Sequence, residues 1–174
     1  MVDGEIHIET DRFILRTLTS EDASPKYARW LDEQSSLGFI ATAKEKNHIE
    51  HIRKYILERN VKDDVLFLGI FTRSDFNHIG NIKYEPINYT ARYAVVGVMI
   101  GESDWQGKAV LSEVIAASTE WLKEHCHINK IVLGVNLNNQ YAIKAYEKSG
   151  FKVEKTNTLL ITSSQSVSMV LHLE

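Results

Sequence analysis

A strand, a loop, a helix, a second strand and a second helix succeed one another between Val95 and Phe151, and this run limits the possible folds more than any other part of the chain. Ala94-Val95-Val96-Gly97-Val98-Met99-Ile100-Gly101 is short and apolar without polar alternation, which predicts a strand covered on both faces. Lys130 to Val135 has the same character. Between them Val110, Leu111, Val114, Ile115, Ser118, Trp121 and Leu122 recur at three- and four-residue spacing, predicting a helix with one apolar face turned to a sheet. Such a βαβ unit has a right-handed crossover in nearly all proteins.

The loop entering that helix is the first place to look for chemistry. The leading N–H groups of a helix lack intrahelical acceptors and lie at the positive end of its dipole. A ligand phosphate at Gln106, Gly107, Lys108, Ala109, Val110, Leu111 and Ser112 would therefore meet main-chain donors. Two familiar phosphate loops do not fit. A Walker loop needs four residues between its glycines and Ser or Thr after the Lys, whereas Ala109 follows Lys108 here. No G-x-G-x-x-G occurs, so a dinucleotide fingerprint is absent as well.

Trp105-Gln106-Gly107-Lys108-Ala109-Val110-Leu111-Ser112-Glu113, followed by Asn139 and by Ala145-Tyr146-Glu147-Lys148-Ser149-Gly150-Phe151, resembles the GNAT acyltransferase superfamily. The closest resemblance is to the branch of ribosomal-protein N-terminal alanine acetyltransferases and polysaccharide-cluster acetyltransferases. Glu9-Thr10-Asp11-Arg12-Phe13-Ile14-Leu15-Arg16 and Ile79-Gly80-Asn81-Ile82 match that branch too, so the likeness covers nearly the whole chain. It implies one domain over residues 1–174 of the α/β (α+β) class: a mixed, mostly antiparallel twisted sheet of about seven strands with about four helices. It also implies acetyl-CoA as co-substrate, with a Q/R-x-x-G-x-G/A loop wrapping its pyrophosphate. Ala109 and Leu111 occupy the two small positions of that loop. A Leu side chain leaves less room for close approach, so a non-catalytic acyl-CoA-binding or sensor module is the alternative.

The remaining site residues follow from the resemblance. Tyr146 stands where the family places the phenol that protonates the departing thiolate; otherwise it is an aromatic packed near a helix end. Main-chain N–H groups at Met99 and Ile100 are expected to polarise the acyl carbonyl. Asn139 matches the family's cofactor-contacting Asn, although Asn is also a favoured N-cap, and Asn136 is a second candidate for the same cleft. Many members of the branch carry a Glu in the fourth strand; Ala94-Val95-Val96-Gly97 has none, and Glu85 is the substitute expected as general base.

Composition limits the partners. The 20 basic and 23 acidic residues give a net charge of -3 with no basic block, which argues against nucleic acid or an anionic membrane. Apolar runs are too short for a spanning helix, the opening residues are acidic rather than signal-like, and the single Cys126 forms no internal disulfide. A cytoplasmic monomer or homodimer is expected. No metal is expected: His48 and His51 lack a third ligand, and adjacent ligands such as His125-Cys126-His127 rarely converge. No G-x-S-x-G elbow supports a serine hydrolase. Tyr27, Trp30 and Phe39 are acceptor-pocket candidates that read first as core.

Elsewhere, alternation predicts strands at Arg12 to Leu18, Leu66 to Thr72, His78 to Ile87 and Tyr93 to Ile100, and two more around Thr162-Ser163-Ser164-Gln165. Helices are predicted around Tyr27, Trp30 and Leu31 and over Glu45 to Arg59, with Ile49, Ile52, Ile56 and Leu57 inward and Gln34 to Thr42 as loop.

Overall fold

The structure, a computed structural model, describes residues 4–36, 48–159, 161 and 163–174. Strands β1 (His7–Glu9) and β2 (Phe13–Thr17) precede helices α1 (Pro25–Ser36) and α2 (His48–Asn60). Strands β3 (Leu66–Thr72), β4 (His78–Asn88) and β5 (Tyr93–Ile100) follow, then helix α3 (Val110–Cys126) and strand β6 (Lys130–Asn136). Helix α4 (Gln140–Lys148) and strands β7 (Lys152–Val153) and β8 (Ser166–His172) complete the chain.

The eight strands form one sheet in the order β1-β2-β3-β4-β5-β6-β8-β7. Every neighbouring pair is antiparallel except β5 and β6, the pair joined by the α3 crossover. The sheet separates two apolar clusters. Val110, Val114, Ile115 and Leu122 of α3 and Ile143 of α4 belong to one; Tyr27 and Trp30 of α1 and Ile52 and Ile56 of α2 belong to the other. The mixed, mostly antiparallel sheet with four α-helices among the described residues is the expected architecture.

Several details differ from expectation for identifiable reasons. The added strand is β1, a three-residue edge too short to display a period of two. Gln34–Ser36 close α1 rather than opening a loop. Phe39, the rest of that expected loop and the start of the helix expected at Glu45 lie outside the described residues. Leu57 is 52% exposed, because Ile52 and Ile56 define the inward stripe of α2 and the next residue turns about 100° away. Val95 to Ile100 is not covered on both faces: Gly97 is exposed and Val98, Met99 and Ile100 are half-buried. The cause is the parting of β5 from β6. Their ladder holds only Tyr93↔Lys130, Ala94↔Ile131 and Val95↔Val132.

One polar clamp sets where α3 begins. Glu113 in its first turn accepts from Thr10 Oγ1 at 2.6 Å, from the Arg12 N–H at 2.9 Å and from Arg12 Nε at 2.7 Å. Arg12 Nη1 also donates to the Lys108 carbonyl at 2.9 Å. The β1–β2 turn thus grips both the helix and the loop before it, and the arginine beside Glu113 helps hold its carboxyl below the usual glutamate range. Glu113→Ala is expected to lower stability by about 2 kcal/mol, as loss of charged hydrogen bonds does. Urea unfolding should show it as a lower midpoint with an unchanged slope.

Candidate active site

Where β5 and β6 part, a cleft of about 1390 Å³ opens. It is lined by α1 and α2 on one face of the sheet, by β4, β5 and β6 at the gap, and by the start of α3 and α4 on the other face. It therefore passes through the sheet.

The direction of the main chain at the gap can be worked out from its hydrogen bonds. The Lys130 N–H donates to the Arg92 carbonyl at 3.2 Å, and the Gly101 N–H donates to the Ile79 carbonyl at 2.9 Å. Main-chain groups in a strand alternate in direction, so even-numbered residues of β5 face β6 and odd-numbered ones face β4. Beyond Val95↔Val132 there is no ladder, and the N–H groups of Val98 and Ile100 face the open gap. Ile100 therefore turns its N–H to the gap. Met99 turns its N–H to β4 instead and contributes a side chain to the cleft wall, and the other N–H facing the gap is that of Val98. Gln106 Nε2 donates to the Ile100 carbonyl at 3.2 Å, tying the loop to the end of β5. Trp30 packs so closely on Gly101 that a Cβ there would lie 2.0 Å from its ring.

The loop has the conformation that anion binding needs. Gly107 has φ 76° and Ala109 φ 57°, both left-handed, so successive N–H groups turn to one side. Among the described residues, no acceptor engages the N–H groups of Gly107, Lys108, Ala109, Val110, Leu111 or Ser112. All of these except Lys108 line the cleft, as does Gln106. The Lys108 ammonium instead lies over the Trp105 ring, 5.4 Å from its centroid, and cations reach the cleft from Lys144 and Lys148 of α4. Leu111 packs against the α3 cluster as a wall of the cleft, which stays open beside it. Ser112 Oγ and Ser149 Oγ, 3.1 Å apart, link the start of α3 to the end of α4.

Asn136 and Asn139 both line the cleft. Asn136 Oδ1 accepts from the Asn138 N–H at 2.9 Å, and Asn139 Oδ1 accepts from the Ala142 N–H at 3.1 Å as the N-cap of α4. The capping role is thus real, and Asn139 Nδ2 has no protein acceptor among the described residues.

Tyr146 lines the cleft from α4, with its ring edge-on to Phe151 at 5.5 Å. Its hydroxyl makes no hydrogen bond among the described residues, and burial pushes its pKa up to about 12. Glu85 is elsewhere. It lies outside the cleft lining, 2.7 Å from Lys83 Nζ, 3.4 Å from Arg59 Nε and 3.4 Å from Lys62 Nζ, and these cations hold its carboxyl below the usual range against the opposing effect of burial. A carboxylate so paired and so placed does not collect a proton from the cleft, which corrects its expected role as base. The ionisable side chains that sequence reasoning missed at this end are His51, Lys54, Tyr55, Glu58 and Lys83. Nothing in local spacing reveals that α2 lies over the gap.

A family model for the acetyltransferase (GNAT) domain matches residues 12–152. The "Probable N-acetyltransferase YjcK" of Bacillus subtilis (strain 168) is 28% identical over 110 residues, spanning 61% of this chain and 60% of that relative's own length. Among solved structures, the ribosomal L7/L12 α-N-protein acetyltransferase RimL in complex with coenzyme A superposes with a TM-score of 0.80. It is 15% identical and covers 97% of this chain and 98% of its own. A dodecameric spermidine N-acetyltransferase from Vibrio cholerae superposes with a TM-score of 0.72 at 18% identity, covering 94% and 95%. At such identities the structural likeness is one of fold.

Two substitutions test this description. Ala109→Gly should relieve the left-handed strain and raise stability by up to about 1 kcal/mol, read as a higher melting temperature. Glu85→Gln should leave turnover within about twofold of the parent, because the side chain lies outside the cleft; a hundredfold loss, of the size removal of a general base brings, would return it to the chemistry.

Proposed function

The chain belongs to the GNAT acetyltransferase family, and from that premise we propose that it is an acetyl-CoA-dependent N-acetyltransferase acting on a primary amine, with residues 1–174 working as one cytoplasmic domain. The observation that carries the reading is the row of unengaged N–H groups from Gly107 to Ser112, opening onto the same cleft as those of Val98 and Ile100. The first row suits the diphosphate of coenzyme A, assisted by Lys144 and Lys148. The gap between β5 and β6 suits an extended arm whose amides pair with strand edges. Among the described residues, no helix is long and apolar enough to cross a membrane.

Acetyl-CoA supplies a thioester carbon open to attack by a neutral amine. The Val98 and Ile100 N–H groups lie one strand repeat apart, about 6.6 Å, so one of them donates to the acyl oxygen as it gains charge, while the N–C bond forms and the C–S bond breaks, and the other pairs with an amide of the extended arm. Tyr146 then gives its proton to the departing sulfur, the amine's proton leaves through water at the α2 end, and water returns a proton to the phenolate before the next turnover. With its pKa near 12, the phenol stays protonated across the working range, so it is a ready donor at neutral pH. The amine is the group that must lose a proton beforehand. An α-amine of pKa about 7.8 is neutral in roughly a tenth of molecules at pH 7, whereas a lysine-like amine is neutral in about one per thousand. Glu85 lies away from the cleft, and His51 and Glu58 are the lining side chains that could take a proton; a protein N-terminus or the amine of a nucleotide-linked sugar asks least of them.

Tyr146→Phe should lower kcat by roughly a hundredfold or more while the Kd of acetyl-CoA, by titration calorimetry, stays within about twofold. Equal losses in both, or none in either, would take Tyr146 out of the proton-donor role. The parent's rate should rise with pH as the acceptor amine deprotonates and show no alkaline fall from Tyr146 below about pH 11. Coenzyme A giving no heat would end the reading, and heat without thiol release from any amine would favour a non-catalytic binding module.

A further inference from the structure

Asn81 of β4 carries a buried donor that the fold leaves unused. The residue is 4% exposed, and its Nδ2 has no hydrogen-bond partner among the described residues. The orientation of the amide follows from its neighbour. His78 Nε2 lies 2.8 Å from Asn81 Oδ1 and 3.0 Å from the Gly80 carbonyl oxygen. A carbonyl only accepts, so Nε2 carries the hydrogen and Asn81 turns its oxygen to it. Burial keeps His78 in that neutral form by lowering its pKa. The NH2 of Asn81 is thereby directed away from the acceptors of the described residues, and native folds seldom bury such a group without a use for it.

Its position indicates the use. Asn81 lines the cleft. It is two residues before Lys83, whose Nζ reaches Tyr55 Oη of α2 at 2.5 Å, so the two side chains share the sheet face covered by α1 and α2. Tyr27 of α1 packs edge-on to His78 at 5.9 Å and also lines the cleft. Its hydroxyl has no hydrogen bond among the described residues. The loop that suits a diphosphate begins α3, on the opposite face. Asn81 thus stands at the end of the cleft from which the amine must come.

We propose that Asn81 Nδ2 donates a hydrogen bond to an oxygen of the acceptor close to its amine, such as the first carbonyl of a peptide or a sugar hydroxyl. This rests on the N-acetyltransferase reading and narrows it: the enzyme selects oxygen-bearing amines and rejects alkyl polyamines. The discrimination arises because an acceptor with no oxygen leaves the buried NH2 unpaired while displacing any water that served it.

The test measures thiol release from acetyl-CoA with a short peptide bearing a free N-terminus, with glucosamine and with spermidine, each rate corrected to the neutral amine. The parent should use the peptide or the amino sugar at least tenfold better than spermidine. Asn81→Leu should cut kcat/KM for that oxygen-bearing amine roughly ten- to a hundredfold, with little change for spermidine and an unchanged KM for acetyl-CoA. Asn81→Asp, which keeps the oxygen facing His78 and removes the donor, should reproduce the loss and serves if the leucine variant fails to fold. A parent that prefers spermidine, an equal loss on all amines, or a raised KM for acetyl-CoA would overturn the assignment of Asn81 while leaving the transferase reading intact. A parent that releases thiol with no amine would overturn both.

Discussion

The structure depends on a ladder that stops early. β5 and β6 are parallel neighbours for three residue pairs and then part, leaving main-chain groups on both strands without the partners that a continuous sheet supplies. Such an opening is stable only if each strand is held by something other than its inner neighbour. On one side β4 pairs with β5 out to Gly80↔Ile100, and the Gly101 N–H continues the attachment to Ile79. On the other, β8 pairs with β6 along its full length, from Lys130↔His172 to Asn136↔Ser166. Trp30 against Gly101 and Gln106 on the Ile100 carbonyl fix the free end of β5. The outer ladders are therefore what keep the gap open, and their positions in the sheet follow from topology rather than from any residue in the gap.

This explains which parts were legible in the sequence. The bounds of β3 and β5, the stripe of α3 and the cap of α4 are local properties, recorded by periodicity and by a single Asn. The parting of β5 from β6 is not local: the apolar run Val95 to Ile100 reads the same whether its second edge faces a strand or a ligand. That ambiguity produced the expectation of a fully covered strand, and the same missing information put Met99 rather than Val98 beside Ile100. Register decides which N–H groups face the gap, and register is visible only when Lys130 and Arg92 are seen together.

The loop shows the same division between local and distant causes. That Gly107 would be left-handed is foreseeable from residue type; that Ala109 would be too is not, because its conformation is imposed from outside. Arg12 and Thr10 hold Glu113 roughly a hundred positions away in sequence, and Arg12 also holds the Lys108 carbonyl, so the loop is pinned on both sides of Ala109. The pinning turns the Lys108 side chain onto Trp105, and α4 supplies the cations at the cleft in its place. Charge in this site is thus a property of the fold's assembly, whereas the main-chain donors are a property of the motif.

The three tyrosines with raised pKa values show why burial alone does not identify a catalytic group. Tyr84 is wholly buried, and its hydroxyl is used up: it lies 2.7 Å from Ser118 Oγ, which itself donates to the Val114 carbonyl, so the phenol must donate to the serine. That chain ties β4 to α3 and leaves no proton for anything else. Tyr27 and Tyr146 are raised by the same desolvation but have hydroxyls without partners among the described residues, and both border the cleft. They differ in the face of the sheet they occupy. Tyr146 comes from α4, on the side of the loop proposed to hold the diphosphate, where a departing thiolate would be; Tyr27 comes from α1, beside Asn81, where an incoming amine would be. A perturbed pKa therefore acquires functional meaning only once the partner of the hydroxyl and its place relative to the gap are known.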